Sequence, residues 1–155
     1  GSYTGLRIGV SAAKGLCFAL NKPLIALDTL EVLAHKVSVE SGYIVPMLDA
    51  RRMEVYSAIF NPNLQWFRKV EAEILNPNSF IKLLQTTKVH FIGNGVSKAK
   101  TLIAHNNAVF IENSLPSAKE MAKLAEAKYK KSDTEDVAYF EPYYLKDFIA
   151  LKKKS

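Results

Sequence analysis

The spacing of apolar and polar residues changes several times along the chain. Residues 3–20 carry apolar and small side chains at helical spacing. A second helix is predicted from Asp28 to about Ser38, because Asp28 and Glu31 form a capping-box pattern. The next three segments alternate as strands do: GYIVPMLDA, EVYSAIFN and LQWFRKVEAEIL. The short loops DARRM and NPN between them predict an antiparallel meander.

The rest of the chain alternates between strand-like and helical segments. The predicted elements are a strand at PLIAL (23–27), a helix from Asn76-Pro77 to about Leu84, a strand at KVHFIGNG, a helix over 96–105, a strand at AVFIEN and a helix at AKEMAKLAEAKYKK after the capping pair Ser117 and Glu120. This order predicts a mixed α/β fold, in which an antiparallel hairpin joins an otherwise parallel sheet.

Two features bear on the organisation of this sheet and of the domains. Pro46 lies within the first strand of the meander, and a proline there favours an edge position or a bulge. The composition changes near Ser41-Gly42. We therefore predict the remnant of a first domain over 1–40, a second domain over 41–136 and a closing segment over 137–155.

The first helix is apolar around most of its circumference. One face carries Leu6, Val10, Ala13 and Cys17. The adjoining faces carry further apolar and small residues: Gly5, Ile8, Gly9, Ala12, Gly15, Leu16, Ala19 and Leu20. The narrow remainder of the circumference carries Arg7, Ser11, Lys14 and Phe18. Such a helix is predicted to be buried on two sides, with small residues that let another backbone approach. We expect preceding chain or a partner to provide the second cover.

Composition narrows the class of protein without identifying its chemistry. Of the 155 residues, 48% are hydrophobic and 23% are charged, as in globular proteins. The single cysteine, Cys17, rules out a disulfide scaffold and favours a reducing compartment, so we expect a cytoplasmic protein with a buried, inert thiol. The net charge of +6 permits an acidic partner such as RNA, although the tail LKKKS contributes part of it.

No sequence pattern indicates a metal or nucleotide site. His35, His90 and His105 are widely spaced, so zinc is not expected. The chain contains neither the P-loop nor the dinucleotide-binding fingerprint. Gly93-Asn94-Gly95 lies between a predicted strand and a helix, where backbone N–H groups can meet an anion. A tight turn that requires glycine explains the same residues and is the favoured interpretation.

The densest charged cluster lies in the predicted hairpin and comprises Asp49, Arg51, Arg52 and Glu54. Ion pairing among these side chains is the favoured interpretation. The alternative is that they face a partner, in which case the forked guanidinium groups of Arg51 and Arg52 suit a carboxylate or a phosphate.

Four segments resemble one protein family. The opening GSYTGLRIGVSAAKGLCFALNKPLIALDTLEVLA is similar to the signature of the TsaB (YeaZ) family, and VPMLDARRMEVYSAIF, FIGNGVSK and EPYYLKDF follow in the family's order and spacing. The resemblance extends over essentially the whole chain. It implies the actin-like ATPase (ribonuclease H-like) fold, with a mixed sheet, flanking helices and an incomplete first domain. Family members have also been called glycoprotease homologues.

The resemblance implies a non-catalytic scaffold subunit. Its expected role is in forming N6-threonylcarbamoyladenosine beside the anticodon of tRNAs that read codons beginning with A. The expected partners are the catalytic subunit TsaD, which carries the metal and nucleotide site, and the ATPase TsaE, while TsaC makes the threonylcarbamoyl-adenylate donor. We expect tRNA to be bound mainly through the complex, a homodimer when TsaD is absent, and no cofactor in this subunit.

The resemblance also indicates an interface, because family members use first-domain helices to pair with TsaD or with themselves. The candidate residues on the first helix are Tyr3, Leu6, Arg7, Val10, Lys14, Cys17 and Phe18. Family members carry further strands and a helix ahead of this segment. We therefore expect most of the first domain's sheet to be absent here.

Two other functions remain open at the level of sequence. An ATPase or peptidase of the glycoprotease-homologue class would need a phosphate-binding apparatus or a nucleophile outside these residues. Direct tRNA binding through the basic surface is the third hypothesis, and it predicts an RNA affinity that falls steeply with salt.

Overall fold

The computed structural model describes residues 3–142 of the chain, so the tail LKKKS and most of EPYYLKDF lie outside the described part. The helices are α1 (Tyr3–Leu20), α2 (Thr29–Ala34), α3 (Ile81–Leu84), α4 (Val96–Leu102) and α5 (Ala118–Lys130). The strands are β1 (Tyr43–Arg51), β2 (Glu54–Phe60), β3 (Trp66–Ile74), β4 (Val89–Ile92) and β5 (Ala108–Ile111).

The five strands form one mixed sheet in the order β3-β2-β1-β4-β5. β1, β2 and β3 make the predicted antiparallel meander, with Asp49 opposite Val55 and Ser57 opposite Glu71. β4 and β5 extend the sheet in parallel from β1. The prediction of an antiparallel hairpin joined to a parallel sheet is therefore confirmed.

Apolar side chains pack on both faces of this sheet, because successive strand residues point in opposite directions. One cluster joins Val45, Val55 and Phe91 to Val96 and Ala99 of α4. The other joins the remaining inward side chains of β1, β2 and β4 to α2, with members Ile44, Ala58, Phe60, Ile92, Leu30, Leu33 and Ala34. The sheet is thus covered by α4 on one side and by α2 on the other.

The chain divides into two compact units. One comprises residues up to Ala26 together with those from Glu126 onward, and the other is Leu27–Ala125. This division does not follow the predicted boundary near Ser41. The physical reason is that Leu30 and Leu33 of α2 are buried against the sheet, so α2 belongs with β1 and β2.

Pro46 shows how a local rule can mislead about a strand's place in a sheet. The expected edge position is wrong, because β1 lies at the centre of the sheet and Pro46 is opposite Ile92 of β4. The pairing between β2 and β3 shifts register between Ser57 and Phe60. The pairing of β1 with β2 also shifts register, between Asp49 and Arg51, so the irregularity in β1 lies next to the hairpin turn and not at Pro46.

Several predicted elements are shorter than expected. PLIAL contributes one antiparallel bridge, Leu24 with Glu135, instead of a strand. The helix expected from Asn76 forms only at α3, because Phe80 has a left-handed φ of 60° and Asn76 accepts a hydrogen bond from the backbone N–H of Asn78 (2.8 Å).

Two further helices end early. α2 ends at Ala34 instead of near Ser38, and α4 ends at Leu102 because Ile103 is extended. At the start of α2, Asp28 is the predicted cap, since its side chain accepts a hydrogen bond from the N–H of Leu30 at 2.8 Å.

The glycine turn after β4 fits closely against β1. Gly93 has a φ of +118°, and a Cβ atom added there would lie 2.2 Å from the carbonyl oxygen of Met47. The N–H of Gly95 donates to that same oxygen at 3.2 Å. The turn therefore requires glycine at position 93 for both conformation and space, as the favoured interpretation predicts.

Candidate partner interface

Helix α1 forms over the predicted residues and has two sides with different surroundings. Val10, Ala13, Lys14 and Cys17 are half-buried and share one side, which we call the inner face of α1. The opposite side, which we call the outer face of α1, comprises Ile8, Gly9, Ala12, Leu16, Ala19 and Leu20. All six outer-face residues are exposed.

The inner face is held by neighbouring segments of its own unit. The ammonium group of Lys14 donates hydrogen bonds to the carbonyl oxygens of Ala138 (3.2 Å) and Phe140 (3.0 Å). The thiol of Cys17 lies 3.6 Å from the carbonyl oxygen of Pro23. Two of the seven candidate interface residues thus bind the protein's own backbone.

The outer face carries large apolar side chains in the open. Ile8, Leu16 and Leu20 are 66%, 62% and 64% exposed. A Cβ atom added at Gly9 or Gly15 would meet nothing within 4 Å. The two-sided burial predicted for α1 is therefore not found within the described part of the chain, and the close approach expected at these glycines is not made there.

Of the other candidate interface residues, Leu6 lies one turn before Val10 on the side of the inner face, and Arg7 and Phe18 lie between the two faces. Leu6 is 39% exposed and Phe18 is 83% exposed. Arg7 is also exposed, while the side chain of Tyr3 lies outside the described structure. The candidate interface residues taken from the sequence do not include Ile8, Leu16 and Leu20. The signal that could have identified these three is their helical spacing beside small residues.

An open groove of about 520 Å³ runs beside α1 in the same unit. Lys14, Gly15 and Phe18 line one wall, and residues 136–138 line the other. The Asp136 side chain accepts hydrogen bonds from the N–H groups of Ala138 (2.8 Å) and Tyr139 (3.2 Å), which fixes the second wall as a turn. The polar groups of the groove are thus engaged with each other, and its surface is mainly apolar.

The hairpin cluster is arranged differently from the prediction. Asp49 forms its ion pair with Lys98 of α4 and not with an arginine of the hairpin. Its N–H donates to the Asn94 side chain at 2.8 Å, and its carboxylate accepts from the N–H of Arg51 at 3.1 Å. The hydrogen bond from Lys98 is the main reason that the pKa of Asp49 is lowered. Lys98 and Asn94 come from a distant part of the sequence, and no local spacing pointed to them.

Comparison with known proteins decides the family. A family model described as "TsaD: tRNA N6-adenosine threonylcarbamoyltransferase" matches residues 1–154. Over 164 aligned residues the chain is 28% identical to the tRNA threonylcarbamoyladenosine biosynthesis protein TsaB of Haemophilus influenzae. The alignment covers 99% of this chain and 69% of that relative. The chain belongs to the TsaD family, in its TsaB (YeaZ) branch.

Two further matches agree with this assignment. TsaB of Escherichia coli is 28% identical over 165 residues, which are 99% of this chain and 70% of that protein. The solved structure of YeaZ from Pseudomonas aeruginosa superposes with a TM-score of 0.71 at 24% identity, over 93% of this chain and 70% of that one. The fold is the actin-like ATPase (ribonuclease H-like) fold expected of the branch.

The three histidines have structural partners in this fold. The Nδ1 atom of His35 lies 2.9 Å from the carbonyl oxygen of Glu31, and that of His90 lies 3.2 Å from the Tyr43 carbonyl. His105 accepts a hydrogen bond from the N–H of Asn107 at 3.0 Å. Within residues 3–142, no three metal-ligating side chains cluster.

No helix among the described residues is both long enough and apolar enough to cross a bilayer.

Proposed function

We propose that this protein is a non-catalytic subunit of the assembly that forms N6-threonylcarbamoyladenosine in tRNA. Membership in the TsaD family supports a role in this modification, and the relatives from H. influenzae and E. coli are named for its biosynthesis. In this proposal TsaD performs the transfer, TsaE joins the larger complex, and tRNA is bound mainly by the assembly. The setting is the cytoplasm, and this subunit itself uses no cofactor.

Family membership is the observation that carries the proposal, and the exposed outer face of α1 is a surface that preceding chain or a partner would cover. Three large apolar side chains, Ile8, Leu16 and Leu20, are each more than 60% exposed on one side of a single helix. Covering apolar area gains about 25 cal/mol per Å², so a face of this kind is stabilised by another protein surface. Gly9 and Ala12 between them allow a second backbone to approach closely.

We propose TsaD as the protein that docks on α1, and a second copy of this protein when TsaD is absent. The residues predicted from the family, with Leu6, Val10 and Phe18 among them, lie on the inner side of the same helix and between its two faces. The inner face is already half-covered by the protein's own chain, so the outer face is the docking face that the geometry favours. A charge introduced on the face that TsaD uses should weaken the complex, because the new charge would be desolvated there.

The test is co-purification of the full-length protein with TsaD, using one variant for each face. Leu16→Glu reports on the outer face and Val10→Glu on the inner face. Ser11→Glu, at an exposed helix position outside both faces, is the control. Loss of the complex in one face variant, with the control unaffected, identifies the interface. Failure of the unmodified protein to bind TsaD would contradict the proposal.

Nucleotide titration addresses the enzymatic alternative. The accessory role predicts that the full-length protein alone does not bind ATP tightly in the presence of magnesium. Tight magnesium-dependent binding would favour an ATPase of the glycoprotease-homologue class. Light scattering on the same sample tests the proposed homodimer, since a monomer at high concentration would rule it out.

A further inference from the structure

The tip of the β1–β2 hairpin holds two arginines in an unfavourable backbone conformation. Arg51 has a φ of 98° and Arg52 a φ of 47°, both on the side of the Ramachandran map that residues with a Cβ atom avoid. Glycine or asparagine would adopt the same turn at lower cost. Strain of this kind persists where a side chain is needed for something other than the turn itself.

Within the described chain, the two side chains do nothing that would offset this strain. Both are exposed, and no described carboxylate lies within ion-pair distance of either guanidinium group. The nearest acid in sequence, Asp49, is already held by Lys98. The hairpin therefore presents two exposed, forked cationic groups that have no ion-pair partner among the described residues.

Exposed apolar side chains border this pair. Met53 follows Arg52 in the turn and is 37% exposed. The end of β3 lies alongside, since the N–H of Leu75 donates to the Met53 carbonyl at 2.8 Å, and Ile74 is 71% exposed. We call Arg51, Arg52, Met53 and Ile74 the hairpin patch.

We propose that the hairpin patch docks an acidic segment of a partner protein. Carboxylates of that segment would accept paired hydrogen bonds from Arg51 and Arg52, and an apolar side chain beside them would cover Met53 and Ile74. Arginine and methionine, which make up three of the four residues of the hairpin patch, are enriched in protein interfaces. The patch lies in the unit Leu27–Ala125, so this inference goes beyond the proposed docking at α1 and does not depend on it.

The local charge favours a protein over RNA as the occupant. Asp49 is paired with Lys98, so Glu54 is the remaining carboxylate beside the guanidinium groups of Arg51 and Arg52, and the surplus of one positive charge is confined to the turn. Binding of the phosphate backbone instead requires a surplus of positive charge along a surface. An extended acidic segment needs only the two arginines and the apolar contacts beside them.

Binding to defined probes in solution tests the proposal. The probes are a fluorescein-labelled peptide with two aspartates flanking a leucine, the same peptide with asparagines, and a single-stranded RNA decamer. The acidic peptide should bind the unmodified protein, and the double variant Arg51→Ala/Arg52→Ala should weaken it at least about tenfold. The control Lys82→Ala/Lys88→Ala removes two exposed cations elsewhere and should leave binding unchanged. Equal binding of the asparagine peptide, no binding of the acidic peptide, or RNA bound more tightly through the same arginines would each overturn the proposal.

The strain supplies a second measurement that separates binding from folding. Arg51→Gly should raise the melting temperature by a few degrees while weakening the acidic peptide, because glycine relieves the backbone and removes a donor. A lower melting temperature, or unchanged peptide affinity, would show that Arg51 serves the fold and would overturn its role in the patch.

Discussion

Lys98 of α4 forms an ion pair with Asp49 at the end of β1, and its ammonium group also donates to the backbone carbonyl of Glu54 at 3.0 Å. One lysine thus links both strands of the hairpin to the helix beyond β4. Because the lysine satisfies Asp49, it also leaves the arginines of the hairpin patch available to a partner.

Asp49→Asn should lower the free energy of unfolding at neutral pH by about 0.5 kcal/mol, a value kept small because the side chain is half exposed. The pKa of Asp49 is lowered from 3.8, so the folded state favours the charged carboxylate. The stabilisation is therefore complete above about pH 3.8 and is lost as the pH falls through the lower folded pKa. Urea titrations of both proteins between pH 2 and 7 measure it, and a difference that does not change with pH would disprove this linkage.

Glu73 should behave in the opposite way. Burial raises the pKa of its carboxyl above 4.5, although Arg68 and Ser57 partly offset this. The ionised carboxylate then costs stability at neutral pH, and this cost disappears as the pH falls from the folded pKa towards 4.5. Glu73→Gln should be more stable than the unmodified protein at pH 7, by about 0.5 kcal/mol, and equal to it near pH 4. A less stable variant at pH 7 would contradict this account.

Arg68 is the centre of a polar cluster on β2 and β3. Its guanidinium group donates to Glu71 (3.0 Å) and to the fully buried Ser57 (2.5 Å), and it lies 3.8 Å from Glu73. Arg68→Met keeps most of the apolar stem but leaves these acceptors without their cation, so it should lower the free energy of unfolding by about 1–3 kcal/mol. The matched control is Lys69→Met on the same strand, whose ammonium group lies over the Trp66 ring in the exposed part of β3. Equal effects of the two changes would argue against the cluster.

Gly93 and Gly15 form a natural pair for testing where glycine is required. Gly93→Ala should destabilise the protein by more than about 2 kcal/mol, because the new Cβ atom meets the Met47 carbonyl and φ is positive. Gly15→Ala adds a Cβ atom in open space on α1 and should stabilise the helix by up to about 1 kcal/mol. Thermal unfolding of both variants checks this, and a tolerated Gly93→Ala would mean that the turn is not packed as described.

The elements that sequence predicts well are those whose signals are local. The alternation in β2 and β3, the cap at Asp28 and the helical spacing of α1 and α5 all correspond to observed elements. The order of strands is harder, because Pro46 suggests an edge while β4 pairs with β1 from more than forty residues away. PLIAL is apolar enough for a strand, yet within the described residues it pairs as a strand only at the bridge between Leu24 and Glu135.

The candidate sites show the same division between local and distant information. Arg51 and Arg52 stand out in the sequence as a charged pair. The ion pair between Asp49 and Lys98, which leaves the two arginines without Asp49 as a partner, depends on a residue far from the hairpin in sequence. The helical spacing of α1 identifies apolar faces without saying which one its own chain covers. The covered face is the one that carries Lys14, because Lys14 donates hydrogen bonds to the backbone carbonyls of Ala138 and Phe140, which lie far along the sequence.

Reconstitution of the tRNA modification tests the central proposal most directly. TsaD, TsaE, the threonylcarbamoyl-adenylate donor and unmodified tRNA are incubated with and without the full-length protein, and N6-threonylcarbamoyladenosine is quantified by mass spectrometry of digested tRNA. The account predicts that the nucleoside forms only when both TsaD and this protein are present, and that Leu16→Glu or Val10→Glu reduces its yield in parallel with TsaD binding. Equal yield without this protein, or formation by this protein in the absence of TsaD, would contradict it.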